Sequence, residues 1–217
     1  SEEAISSIKD RLGENVAIVV LQNGLGNEEI VKKVLGDKAE VVRALTTSGV
    51  ELTEPGRITL KLVGETTLGR GKTGERIAKL FNSCGLKTRL SDNMPLELWS
   101  KLAMNCVINP LSAILRVPDK EIAADSLFVL RRRIVEECIC VGRAEGVELD
   151  MGILERLEGV IPTYENYSSM CQDLMKGKRT EIDFLNGKVA EVGRRHRIPT
   201  PVNETIASLI KFLEVRK

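Results

Sequence analysis

The sequence predicts an α/β domain over residues 1–93, followed by an all-helical domain over residues 94–217. Two observations predict this order: helix-like and strand-like patterns alternate in the first part, and only helix-like patterns occur in the second. The third observation is the composition, since 42% hydrophobic and 29% charged residues in a chain of 217 are typical of a protein with a packed core. The boundary is expected near residues 91–94.

The first domain is predicted to consist of short elements. Residues 2–12 have helical periodicity, and residues 16–21 form a β-branched run that is typical of a buried strand. Further helices are predicted over 27–35 and 75–84, further strands over 41–47, 58–63 and 88–90, and a loop over 69–74. This alternation favours a mostly parallel sheet, with room for an antiparallel strand at an edge.

The second domain is predicted to contain helices alone. Pro95 suits the first turn of a helix, where its missing N–H is not needed. Helical patterns then cover residues 95–108, 110–115, 126–145, 151–157, 164–176 and 181–195, and a last helix follows Pro201. This half is therefore predicted to be an all-helical domain.

Composition and charge exclude several classes of function. A formal net charge of +1 and only 3% aromatic residues give no basis for nucleic-acid binding. No apolar run reaches the roughly 20 residues of a membrane span, and no signal peptide precedes the first helix. The five scattered cysteines indicate reduced thiols, and the single histidine, His196, lies among arginines. We therefore expect a cytoplasmic protein without a transition-metal site.

Three polar residues share one face of a predicted helix. Lys101, Asn105 and Asn109 are spaced four residues apart, which places them on one stripe of an otherwise apolar segment. Polar groups on such a helix need partners, because an unpaired buried polar group is costly. In one interpretation, the partners are backbone groups or water, or Lys101 extends to solvent. In the other, the stripe faces a small anionic or carbonyl substrate, with Lys101 as proton donor. The pattern alone leaves both interpretations open.

Two glycine loops have parts of phosphate-binding motifs but lack the rest. Gly24-Leu25-Gly26 follows a predicted strand and opens a helix, yet Glu29 stands where a dinucleotide fingerprint has its third glycine. Glu28 and Glu29 in the first helical turn would also repel a pyrophosphate. At the second loop, a P-loop would need glycine five positions before Gly71, where this sequence has threonine. We interpret neither loop as a phosphate site.

Four segments together resemble the ketopantoate reductase family, also called 2-dehydropantoate 2-reductase. They are LQNGLG at residues 21–26, LWSKLAMNCVINPL at 98–111, SSMCQD at 168–173 and TEIDFLNG at 180–187. The resemblance extends from about Val16 to the C-terminus. It implies a partial Rossmann-type sheet followed by an all-helical domain for substrate binding and dimerisation. It also implies NADPH-dependent reduction of ketopantoate to pantoate, in the biosynthesis of pantothenate and coenzyme A.

The resemblance assigns roles to the substrate side of the site. Lys101 corresponds to the family's general acid, and Asn105 and Asn109 correspond to the asparagines that hold the substrate. Ser169 corresponds to the serine that binds near the substrate carboxylate. A protonated lysine suits this chemistry, because hydride addition to a 2-oxo acid places negative charge on the former carbonyl oxygen.

The resemblance also assigns residues to the cofactor, NADP(H). Asn23 corresponds to an asparagine that contacts both the nicotinamide ribose and the substrate, and Glu181 to a glutamate beside that ribose. Val50 is expected to offer a backbone contact to the cofactor. Asp119 stands where the family often has a substrate-binding asparagine. A carboxylate there would disfavour an anionic substrate unless it points away or pairs with Lys120.

A second departure concerns the start of the chain. The family pattern opens with a strand and a G-x-G-x-x-G motif, roughly 75 residues ahead of the point where this sequence begins. We therefore interpret residues 1–93 as the C-terminal portion of a Rossmann-type domain and expect this chain alone to be inactive. Two alternatives stay open: a reductase of another 2-oxo acid, aromatic or branched, or a non-catalytic fragment that folds and oligomerises without binding cofactor.

Overall fold

The computed structural model of the protein describes residues 2–216, except for the side chains of Glu51 and Leu52. These residues form two compact units. One extends through Gln22 and from Gly26 to Met94, and the other combines Asn23–Leu25 with the chain from Pro95 onward. The first unit contains a mixed sheet with helices and the second is helical, so the predicted fold class is confirmed.

The first unit has a four-stranded sheet in the order β1-β2-β5-β6. Its strands are β1 (Val16–Val20), β2 (Ala39–Thr46), β5 (Thr66–Gly69) and β6 (Thr88–Ser91). β1 and β2 are parallel, as are β5 and β6, but β2 and β5 are antiparallel. The antiparallel pair is therefore at the centre of the described sheet and not at its edge. The reason is that an antiparallel hairpin separates β2 from β5 and returns the chain to the end of β2, where the Thr47 N–H donates to the Glu65 carbonyl at 3.0 Å, so β5 runs back along β2.

That hairpin consists of β3 (Gly49–Glu54) and β4 (Arg57–Leu62), which pair antiparallel. Three helices complete the unit: α1 (Glu2–Ile8), α2 (Asn27–Leu35) and α3 (Lys72–Ser83). α3 begins inside the segment predicted as a loop. Gly74 allows this start, because a Cβ at Gly74 would lie 2.1 Å from the Gly69 carbonyl oxygen.

The second unit contains six helices in its described residues. They are α4 (Met94–Leu115), α5 (Phe128–Ala144), α6 (Gly152–Val160), α7 (Ser169–Met175), α8 (Asn186–His196) and α9 (Pro201–Val215). All six contribute to one apolar core, to which Leu25 also packs. No helix within residues 2–216 has both the length and the apolarity that a membrane span requires.

α4 is one continuous helix, although the sequence predicted a break before Pro110. Proline has no N–H, so the carbonyl of Cys106 loses its helical donor. The Asn186 side chain replaces that donor, since its Nδ2 lies 3.0 Å from the Cys106 carbonyl oxygen. A tertiary hydrogen bond thus lets the helix continue past Pro110, and it attaches the start of α8 to the middle of α4.

A buried arginine stabilises the segment between α4 and α5. Arg131 is 1% exposed, and its Nε and Nη2 each lie 2.7 Å from a Glu158 carboxylate oxygen. The same guanidinium donates to the carbonyls of Ile122, Ala123 and Ala124 at 2.5–3.3 Å. One side chain thus donates to three successive carbonyls of this segment, of which Ala124 also accepts from the Leu127 N–H at 2.9 Å.

We predict that Arg131→Met lowers the free energy of unfolding by about 3 kcal/mol, because it leaves Glu158 and buried carbonyls without donors. Urea denaturation measures the change. The control is Arg132→Met, which removes an exposed pair with Glu136 and should change stability by about 0.5 kcal/mol or less. Equal effects of the two substitutions would contradict the role assigned to Arg131.

Candidate active site

The predicted polar stripe lies on the least buried face of α4. Lys101 and Asn105 are half-buried, and Asn109 is 7% exposed. Much of the rest of the helix packs into the core, where its residues are almost inaccessible to solvent, although Ser100 and Met104 are half-buried. The core-facing residues are Leu102, Ala103, Cys106 and Val107. Because these core contacts hold the helix, an amine and two amides are held along one line of the helix surface.

Two serines connect the end of this stripe to α7. Ser168 is the N-cap of α7: its Oγ accepts from the Cys171 N–H at 3.1 Å and donates to the Asn109 carbonyl at 3.2 Å. The Ser112 hydroxyl donates to Ser168 Oγ at 2.7 Å. Ser169, the predicted carboxylate-binding residue, is therefore the first residue of α7 and is exposed beside a buried, fully bonded neighbour.

Asp119 lies beside the same serines, in a short 3₁₀ turn after α4. It is 3% exposed, and its Oδ2 accepts from the Asn166 side chain at 3.0 Å. Burial raises the pKa of Asp119 to about 6, although the Ser112 hydroxyl, the Ser168 N–H and the Asn166 amide each act to lower it. The carboxyl therefore changes charge close to neutral pH.

Asp119 does not pair with Lys120, the arrangement that the sequence left open. Lys120 Nζ lies 2.6 Å from a Glu165 carboxylate oxygen instead. The two loops are also joined through their backbones, since the Asp119 N–H donates to the Asn166 carbonyl at 2.9 Å. Sequence reasoning did not identify Asn166. Its position three residues before Ser169 could have indicated that it lies near the site. The neighbouring residues are also polar, however, and such a segment is equally typical of a surface loop.

Asn23 and Glu181 meet within the second unit, although 158 positions separate them. Asn23 Nδ2 donates to Glu181 Oε2 at 3.2 Å. The neighbouring backbone supports this contact, because the Leu25 N–H donates to the Phe184 carbonyl at 3.0 Å. Gly24, with a φ of +80°, is required here: a Cβ would lie 2.2 Å from the same carbonyl oxygen. The segment Asn23–Leu25 thus rests on the turn that carries Glu181.

The predicted site residues therefore form two groups attached to α4. One contains Asp119 and Ser169 near Asn109, and the other is the Asn23–Glu181 pair, whose turn leads into Asn186 and its bond to Cys106. Val50 lies on β3 in the first unit and is 55% exposed. No group of three or more histidine, cysteine, aspartate or glutamate side chains within residues 2–216 is arranged to hold a metal ion.

A Rossmann-like unit with a mixed sheet is followed by a helical unit that carries an amine-and-amide stripe. Sequence models of two related families match this chain. "Ketopantoate reductase PanE/ApbA C terminal" matches residues 93–214, and "Ketopantoate reductase PanE/ApbA" matches residues 1–73. The chain belongs to the ketopantoate reductase family, whose members are oxidoreductases.

Individual relatives agree with this assignment. The 2-dehydropantoate 2-reductase of Pyrococcus horikoshii is 34% identical over 221 residues, which cover 99% of this chain and 72% of that protein. The enzyme of the same name from Archaeoglobus fulgidus is 33% identical over 216 residues, covering 96% and 72%. Both alignments include nearly all of this chain.

Solved structures show the same fold. A PanE/ApbA family ketopantoate reductase from Ralstonia eutropha JMP134 aligns with a TM-score of 0.91 and 32% identity, covering 98% of this chain and 72% of that one. D-mandelate dehydrogenase in a ternary structure with NADH and anilino(oxo)acetate aligns with a TM-score of 0.91 and 26% identity, covering 98% and 72%.

The pKa of Asp119 predicts a pH dependence of stability. The folded pKa, about 6, is above the ordinary value of 3.8, so the folded state favours the protonated carboxyl. The free energy of unfolding is therefore unaffected by this group below pH 3.8 and decreases as the pH rises from there through about 6. Asp119→Asn removes this dependence. Between pH 4 and pH 8, we expect the free energy of unfolding of the variant to increase relative to that of the wild type by about 2–3 kcal/mol.

Urea denaturation at both pH values measures the difference. Asp125→Asn, at an exposed position three residues after Ile122, is the matched control and should show no such gain. A difference between wild type and Asp119→Asn that stays constant with pH would show that burial does not control this carboxyl.

Proposed function

We propose that this protein catalyses the NADPH-dependent reduction of ketopantoate to pantoate. The observation that carries the proposal is the α4 stripe, where a half-buried amine and two amides are aligned on an otherwise core-facing helix. Family membership supports the reaction class. The identities of the substrate and of the cofactor are part of the proposal.

In this proposal, Lys101 is the general acid. Reduction adds a hydride to C2 of the 2-oxo acid, and the C2 oxygen then takes a proton. A protonated Lys101 within hydrogen-bond reach stabilises the charge that develops on that oxygen and donates the proton, which leaves a neutral amine to be reprotonated by solvent. Lys101 is half-buried, so its interaction with that oxygen is stronger than between two groups fully surrounded by water.

Asn105, Asn109 and Ser169 are proposed to bind and orient the acid. Amides and hydroxyls can donate to a carboxylate without changing the net charge of the site. The position of Ser169 depends on Ser168, which attaches the start of α7 to the Asn109 carbonyl. Since Asn109 and Ser169 share this anchor, a small acid that contacts both is held at a fixed distance along α4.

Asp119 bears on the choice of substrate. With a pKa of about 6, its carboxyl is mostly ionised at pH 8, and an ionised carboxyl can only accept hydrogen bonds. Because Asp119 is 3% exposed and accepts from Asn166, its carboxyl is held by protein donors and need not oppose an anionic substrate. We favour ketopantoate over an aromatic or branched hydrocarbon acid because relatives of 33–34% identity are 2-dehydropantoate 2-reductases.

The proposed cofactor contacts are limited to the ribose end. The Asn23 amide and the Glu181 carboxylate provide a donor and an acceptor side by side, a combination that suits ribose hydroxyls. Val50 is proposed to add a backbone contact. When bound, the nicotinamide cofactor supplies the hydride. Since D-mandelate dehydrogenase was solved with NADH, the preference for NADPH is a separate part of the proposal.

Two further expectations belong to the same proposal. The five cysteines are all unpaired, which agrees with the reducing cytoplasm expected as the location. The helical unit is proposed to form a homodimer, which a molar mass of the purified protein in solution would reveal.

The assay for the proposed function uses a protein in which the family's N-terminal G-x-G-x-x-G segment precedes this chain, since the chain alone is expected to be inactive. It follows NADPH and NADH oxidation with three acids: ketopantoate, a branched 2-oxo acid and an aromatic 2-oxo acid. We expect ketopantoate with NADPH to give the highest kcat/KM. Preference for the aromatic or branched acid would move the protein to the alternative specificity, and activity with none of the acids would contradict the proposed reaction.

In the same assay, Lys101→Ala should lower kcat by about 10²-fold or more, as expected for loss of a general acid. The fold should survive, because Lys101 is not part of the apolar core. Lys188→Ala is the control, since Lys188 pairs with Glu191 on α8 and should leave kcat unchanged. Near-normal turnover of Lys101→Ala would remove the proposed role.

A further inference from the structure

The turn before Glu181 is attached to the last helix by one carboxylate. Glu214, near the end of α9, accepts two hydrogen bonds at Oε1: from the Thr180 N–H at 2.6 Å and from the Thr180 hydroxyl at 2.7 Å. The Thr180 hydroxyl also accepts from the Ile182 N–H at 3.2 Å. Hydrogen bonds to a charged acceptor are stronger than neutral ones, so this contact fixes the backbone on both sides of Glu181.

A second contact from α9 reaches the same turn but contributes less. Lys211 Nζ lies 2.5 Å from Asp183 Oδ1, and both side chains are about half exposed. Exposed ion pairs contribute little to stability. Glu214 and Thr180, by contrast, are both half-buried, and the bond includes a backbone N–H that has no helical partner. Glu214 is therefore the principal attachment of the turn to α9.

The turn that Glu214 holds is the surface on which Asn23–Leu25 rests. Glu181 accepts from Asn23, and the Phe184 carbonyl accepts from the Leu25 N–H. Gly24 packs directly against that carbonyl. A displacement of residues 180–184 would therefore move both partners of the Asn23–Glu181 pair.

We propose that Glu214 is a positioning residue, which holds the Thr180–Phe184 turn so that Glu181 and Asn23 together can bind the cofactor ribose. The ribose contact rests on the proposed function, whereas the positioning of the turn does not. Glu214 acts through Thr180 and Glu181 and need not touch the cofactor. It connects the C-terminal helix to the site through two hydrogen bonds.

Hydrogen exchange of the full chain, without cofactor, tests the positioning. Glu214→Ala should accelerate exchange at the Ile182 and Leu25 amides by about fivefold or more, the effect of losing one net hydrogen bond. Glu214→Gln keeps an acceptor and should restore most of the protection. The control is Glu204→Ala, on the same helix as Glu214. It removes an exposed ion pair with Arg194 of α8 and should leave exchange at both amides unchanged.

Kinetics of the longer protein used in the activity assay test whether the effect reaches the cofactor. Glu214→Ala should raise KM for NADPH by about fivefold with little change in kcat, and it should add little when Glu181 is already alanine. Unchanged exchange at Ile182 and Leu25 would overturn the proposal. A second outcome separates the two parts of the proposal: exchange is faster in Glu214→Ala, but the KM for NADPH is unchanged in both Glu214→Ala and Glu181→Ala. That result would overturn the ribose contact and leave the positioning of the turn by Glu214 intact.

If Glu214→Ala does not fold, Thr180→Val provides the second variant, since it removes the hydroxyl bond and keeps the N–H bond. It should accelerate exchange at Ile182, whose amide donates to that hydroxyl. Protection equal to the wild type at Ile182 and Leu25 in Thr180→Val would contradict the proposal.

Discussion

The burial of α4 is the constraint on which the candidate site depends. Much of its surface packs into the core of the helical unit, and residues such as Ala103, Cys106 and Val107 are fully inaccessible. Packing this complete fixes both the rotation and the position of the helix, because close-packed interiors tolerate little displacement. Lys101, Asn105 and Asn109 are therefore held along one line of a helix whose position is fixed by its buried residues.

The two other parts of the site are attached to backbone carbonyls of this helix. Ser168 bonds the Asn109 carbonyl and so places the start of α7; Asn186 bonds the Cys106 carbonyl and so places the start of α8. The second bond exists because Pro110 cannot donate to Cys106. One proline thus creates the attachment point for the segment that follows Glu181. Prolines inside helices usually weaken them, but here the lost helical bond becomes a tertiary one.

Much of this arrangement follows from the sequence, and the rest does not for identifiable reasons. Spacing alone predicted the α4 stripe, since helical periodicity is a local property. The Asn23–Glu181 contact came from resemblance, because no local pattern can pair residues 158 positions apart. Arg131 was not identified, since it stands beside Arg132 and Arg133, and only the fold makes one of the three buried. β5 was not predicted, because its strand structure depends on pairing with β2 and β6 and not on a local pattern.

The central claim is that the α4 stripe binds the acid, and a crystal structure of the protein with pantoate tests it most directly. We predict that the C2 hydroxyl oxygen of pantoate lies about 3 Å from Lys101 Nζ, within hydrogen-bond reach. The side chains of Asn105 and Asn109 should contact the same molecule. Pantoate bound away from α4, with none of these three side chains in contact, would contradict the account.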